Sequence, residues 1–177
     1  GYLAALQRLL DNGVRGLAIR GLVSDEIDEC LRNISREKMK IVVYNEDIRD
    51  KSLRDCFVGQ DSERAGACAA CLMEQIARPG GEMLLVGGDH DLVYRLTRDK
   101  LAQLPELTGI FVSGAGLSGA AHAVDDAGLA GKIKVVGFDI TESNMSFLQK
   151  GTAQFLIDQG PYMQGYRSVQ LLAESIF

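Results

Sequence analysis

The sequence has no excess of positive charge: 19 lysines and arginines stand against 24 acidic residues, for a formal net charge of -5. A surface that wraps nucleic acid must concentrate basic groups against phosphates, so this segment is not expected to bind DNA or RNA itself. No apolar run approaches the ~20 residues that cross a bilayer, and no membrane partner is expected. There are two histidines, His90 and His122. Neither has carboxylate or cysteine companions at ligand spacing, so no metal and no cofactor are expected. No nucleophile is patterned with a base, which points away from an enzyme. Disulfide scaffolding is absent too: Cys30, Cys56, Cys68 and Cys71 fall in helix or strand patterns rather than in a loop-rich framework. Cys68-Ala-Ala-Cys71 has the spacing of a redox or metal pair, yet it lies in the helical run Ala65, Cys68, Leu72, Met73, Ile76 with no second pair. Packing as small apolar helix residues is the heavier reading. Reduced thiols imply a cytoplasmic location.

What is present is a sustained alternation of helix and strand patterns. At 177 residues the chain is long enough for one substantial core or for two small lobes sharing a hinge. An amphipathic helix over about 2–12 stops at Asn12-Gly13 and lacks the basic leader and cleavage site of a signal peptide. Strand Gly16–Arg20 follows, then a helix capped by Ser24 with Ile27, Cys30, Leu31 and Ile34 on one face. The β-branched run at Lys40–Tyr44 predicts a strand covered on both faces. Asn45–Asp55 reads as a loop whose charges from Arg49 to Asp55 are solvated, before a short strand at Cys56–Val58. Asp61 or Ser62 caps a helix to about Ala77, which Pro79-Gly80-Gly81 ends. Strands at 83–86, 109–113, 133–138 and 153–157 then alternate with helices at 92–104, 117–128, 141–149 and from Pro161 onward. Such alternation implies right-handed βαβ crossovers and parallel sheet.

In sheets of this kind ligands bind outside the carboxyl ends of the strands. That rule selects Asn45 and Asp47, Gly87 to Asp91 with His90, Ser113 to Gly116, Asp139 and Gln159. Ionised carboxylates accept strong hydrogen bonds from the hydroxyls of a polyol, and an amide both donates and accepts. Tyr44, Phe138 or Tyr162 could cover an apolar sugar face, with core packing the heavier reading. Ser113 to Gly119 mimics a phosphate loop but is not placed in the first βα unit of a dinucleotide fold; a tight strand-to-helix turn suits it better.

Three segments carry a family resemblance. Val58-Gly59-Gln60-Asp61-Ser62-Glu63-Arg64-Ala65-Gly66, Val135-Val136-Gly137-Phe138-Asp139 and Gln159 to Gly165 resemble, in order and spacing, segments of type I periplasmic binding proteins and of LacI-type regulator effector domains. The resemblance implies an α/β fold of two Rossmann-like lobes with parallel sheets, joined by a hinge and holding ligand between them. By it, residues 1–59 with 160–177 form a partial N-terminal lobe, and residues 60–159 the C-terminal lobe. Asp139 becomes a sugar-hydroxyl acceptor and Gln159 a hinge contact, while the register between Asn45 and Asp47 stays open.

The resemblance also implies an additional βα unit, with a ligand-contacting arginine, after the strand at Met83. A break at Asp91–Leu92 is therefore expected, along with missing pieces at both termini; the chain begins without methionine. The expected function is the effector-binding domain of a LacI-type transcriptional regulator: a homodimer that binds a sugar or related small polar metabolite and DNA only through an absent helix-turn-helix domain. The alternative is the periplasmic sugar-binding protein of an ABC transporter. An α/β enzyme with Asp139 as base is a third.

Overall fold

A computed structural model describes residues 1–34 and 39–177. The described residues divide into two compact units, Gly1–Gln60 with Gly160–Phe177, and Asp61–Gln159. Each is built on its own parallel sheet.

In the first unit, β1 (Gly16–Arg20), β2 (Lys40–Asn45) and β3 (Cys56–Gly59) lie in sequence order. The β-branched run of β2 occupies the centre, where Ile41, Val42 and Val43 are buried to within 2% of full. Helices α1 (Tyr2–Asp11) and α2 (Asp25–Arg32) bring Leu6, Ile27 and Leu31 onto Leu17, Ile41 and Val43. Burying each such side chain contributes roughly 1.5–3 kcal/mol. Helix α1 ends where the sequence demands, with Gly13 at φ 67 after Asn12.

Two expectations need correction here. Ser24 is the N-cap of α2, but its side chain makes no capping bond. The charged stretch after β2 is not simply solvated: Ile48 and Leu53 join the core, and the Asp55 carboxylate accepts the Ile41 N–H at 2.7 Å. Apolar residues at two points pull the loop inward and its charges pair locally. A single 3-10 turn at Lys51–Leu53, rather than an α-helix, completes this crossover.

The second unit opens with α3 (Ser62–Ile76), capped by Asp61, whose side chain accepts the Arg64 N–H. Its four strands follow in order: β4 (Glu82–Val86), β5 (Leu107–Val112), β6 (Lys134–Phe138) and β7 (Phe155–Ile157). Helices α4 (His90–Gln103), α5 (Leu117–Asp126) and α6 (Glu142–Lys150) connect them, and α7 (Pro161–Ile176) returns to the first unit. Val93, Ala120, Val124, Ile110 and Val135 are fully buried in one cluster.

At Asp91–Leu92 the described helix differs from its sequence pattern in where it begins. Both residues lie in α4, which starts two positions earlier than its sequence pattern suggested. The Asp89 carboxylate caps the Leu92 N–H at 2.8 Å and its carbonyl accepts the Val93 N–H, so one continuous helical turn spans the junction. Acidic residues at the cap and in the first turn favour that start. Strand β4 is an edge strand of the second sheet, with Met83 and Leu85 46% and 67% exposed. Cys68 and Cys71 are also exposed on α3, contrary to the packed role expected of them, because Ala65, Ala69 and Met73 take the buried face. All four cysteines are free thiols.

Candidate functional site at the strand carboxyl ends

Strand β6 is buried from Val135 to Phe138 and delivers Asp139 at its end. The backbone there is unusual. Among the described residues, the non-glycine residues with positive φ are Asn45 (φ 67) and Asp139 (φ 73). Left-handed backbone costs an L-residue roughly 1–2 kcal/mol, least for Asn and Asp, and it persists only where the surroundings hold it. Asn45 is the last residue of β2, and Asp139 directly follows β6. Both were selected from sequence as ligand contacts.

Three partners hold Asp139. Its N–H donates to the Ile157 carbonyl at 3.1 Å. Asn144 Nδ2, on α6, donates to the Asp139 carbonyl at 2.9 Å and to the Phe138 carbonyl at 3.2 Å. Gln159 Nε2, just beyond β7, donates to Asp139 Oδ1 at 2.9 Å. A carboxylate offers about four acceptor positions, so one bond from Gln159 leaves it able to take ligand hydroxyls. The neighbouring strand ends add to this edge. Ser113 follows β5, with its N–H and hydroxyl both directed to the Val86 carbonyl, at 2.9 and 3.4 Å.

The other selected residues are placed differently. His90 is not in a loop: it is the first residue of α4, with Nδ1 2.9 Å from Ser118 Oγ on α5. Asp47 forms a two-bond pair with Arg54 at 2.7 and 2.8 Å and accepts the Ile48 N–H. Burial pushes the Asp47 carboxyl up, but the Arg54 hydrogen bond and charge and the Ile48 N–H outweigh it, leaving it below its ordinary value. This carboxylate therefore organises its own loop, and of the two residues whose register was open, Asn45 carries the strained strand-end backbone.

Phe138 is core, packed edge-on against Phe111, whereas Tyr162 is 79% exposed and stacked on Tyr166. In the Ser113–Gly119 segment, Gly116 and Gly119 serve packing, while a Cβ on Gly114 would meet open space. Gly116 is left-handed, and a Cβ on Gly119 would lie 2.2 Å from the His90 carbonyl oxygen. Asn144 was not singled out from sequence. An asparagine in the first turn of a helix reads as ordinary capping chemistry, and its reach back to residues 138 and 139 exists only in the fold.

Among the described residues there is no group of three or more His, Cys, Asp or Glu side chains able to hold a metal ion. Nor is any helix among them long and apolar enough to cross a membrane.

Two α/β units, each on its own parallel sheet, define the fold class. The family follows from sequence comparison: a model described as periplasmic binding protein domain matches residues 87–176, more than half of the chain. The chain belongs to that family. Solved structures share its fold. They include GanP, a glucose-galactose binding protein from Geobacillus stearothermophilus (21% identity, 97% of this chain and 74% of that one, TM-score 0.84). An ABC transporter solute binding protein from Burkholderia graminis C4D1M, in complex with D-arabinose, matches at 21% identity over 99% of this chain and 73% of that one, TM-score 0.90. A LacI transcriptional regulator assigned in Bacteroides fragilis matches at 15% identity over 99% and 74%, TM-score 0.84. At these identities the likeness establishes fold. No curated protein matches the chain in sequence.

Proposed function

We propose that this chain is a sugar-binding receptor domain, which binds and releases its ligand unchanged, in the manner of the solute-binding component of an ABC importer. The observation that carries the reading is Asp139, held in left-handed backbone at the end of β6 with Gln159 bonded to its carboxylate. A fixed carboxylate beside an amide suits a neutral polyol, whose hydroxyls donate charge-assisted bonds to the acid. Relatives of the same fold bind glucose or galactose, D-arabinose and D-fucose, which supports a monosaccharide as the ligand class. This favours the transporter alternative over the regulator reading that the sequence motifs first suggested.

The regulator remains a second reading on one specific observation, the four free thiols, which suit a reducing compartment. In that setting the same sugar site would act on a homodimer carrying DNA-binding heads.

The test is a thermal-shift and calorimetric titration with D-galactose, D-glucose, D-arabinose and D-fucose, on the wild type and on Asp139→Ala. At least one sugar should raise the wild-type Tm, and the same sugar should bind Asp139→Ala more weakly, with a smaller Tm rise at equal concentration and a dissociation constant still measurable at high sugar. A panel without any shift on folded wild-type protein would overturn the reading.

A further inference from the structure

Asn144 is buried to 7% exposure, and its side-chain amide reaches back across the start of α6 to the end of β6. One nitrogen, Nδ2, donates to two successive carbonyls, of Phe138 and Asp139. That is possible because positive φ at Asp139 turns both carbonyls to one side, so the amide and the left-handed turn select each other. The amide is itself fixed by the helix. Thr141 is the N-cap of α6, and its hydroxyl oxygen accepts the Asn144 N–H at 3.2 Å. A chain of bonds thus runs from the α6 cap through Asn144 to the Asp139 backbone, and on through the Asp139 carboxylate to Gln159.

We infer that Asn144 is a positioning residue for ligand binding: by holding residue 139 in left-handed backbone, it aims the Asp139 carboxylate outward from the end of β6. This rests on the reading of Asp139 as a sugar acceptor. Few side chains could replace it. The site requires an N–H donor at the length of asparagine; aspartate has the shape but sets acceptors against two carbonyls, and leucine has the volume but no donor.

Asn144→Asp is the informative substitution. A negative charge in the first turn of α6 favours the helix dipole, so if the residue served the helix alone this change would be neutral or stabilising. On the positioning role it removes the clamp. The dissociation constant for whichever of D-galactose or D-arabinose binds should rise ~10-fold to 100-fold, as for loss of one oriented charge-assisted contact. That loss should vanish in the Asp139→Ala background, where no carboxylate remains to be aimed. An equal loss in both backgrounds, or no loss in either, overturns the role.

Crystal structures of Asn144→Asp and Asn144→Ala decide the matter without a sugar. The expected result is residue 139 at negative φ with the Gln159 bond broken. Residue 139 still at positive φ with that bond intact would overturn the clamp. If wild-type protein binds no sugar while the variants lose the turn, the sugar reading fails and the clamp stands as a backbone device.

Discussion

Asp47 and Asp139 both end up near strand ends, yet their surroundings give them opposite employment. Asp47 is bound on both oxygens by Arg54, whereas Gln159 takes one oxygen of Asp139. The Asp47 pair makes a prediction with a definite sign. Its carboxyl is held below the ordinary value of ~3.9 in the folded chain. The stabilisation is therefore complete above that value and is lost progressively as pH falls below about 4, where the unfolded chain takes up a proton before the folded carboxylate does. Urea midpoints measured from pH 7 to pH 3 should fall in this acid window. Arg54→Met should lower the unfolding free energy at pH 7 by roughly 1.5–3 kcal/mol, the worth of hydrogen bonds to a charged group, with a correspondingly lower urea midpoint, and should flatten the acid decline. An unchanged pH profile in Arg54→Met would show that the pair does not contribute.

At the scale of elements, the packing of α4 on α5 depends on an absent side chain. A Cβ on Gly119 would sit 2.2 Å from the His90 carbonyl oxygen and 3.0 Å from the Tyr94 nitrogen, both backbone atoms of α4. Neither can move aside without separating the helices. Gly119→Ala should therefore destabilise the protein by about 1–3 kcal/mol despite alanine's better helix propensity. Equilibrium urea unfolding should show a lower midpoint at unchanged slope; a midpoint equal to wild type would mean that the helices can part without cost.

Element boundaries were legible where local chemistry sets them. Gly13 stops α1, Asp61 caps α3, and Pro161 opens α7. The start of α4 was misjudged because Asp89-His90-Asp91 reads as a polar loop. Only the cap geometry shows that Asp89 begins a helix and that His90 is already inside it.

For the whole molecule, each unit gathers its candidate ligand groups at the ends of parallel strands that have the same direction as their neighbours. A sugar bound by the folded chain and not by the unfolded one must raise stability by mass action. A ligand at 100 times its dissociation constant adds about 2.7 kcal/mol. For wild-type protein this predicts a Tm that climbs with the logarithm of sugar concentration, read by calorimetry. A Tm independent of concentration at saturating sugar would mean that the folded state gains nothing from it. The same measurement on Asp139→Ala tests whether that gain passes through the carboxylate.

The order of strands and helices, the buried run of β6 and the arrival of Asp139 and Gln159 at strand ends were all fixed by sequence. Periodicity and turn chemistry act over a few residues, and parallel alternation then leaves one face for polar strand ends. The tertiary structure decided which of those polar groups are spoken for. Asp47 pairs with Arg54, His90 with Ser118, and Asn144 with the two carbonyls at the end of β6. Such pairings depend on side chains from different elements meeting at hydrogen-bond distance, and no local pattern in the chain encodes that meeting.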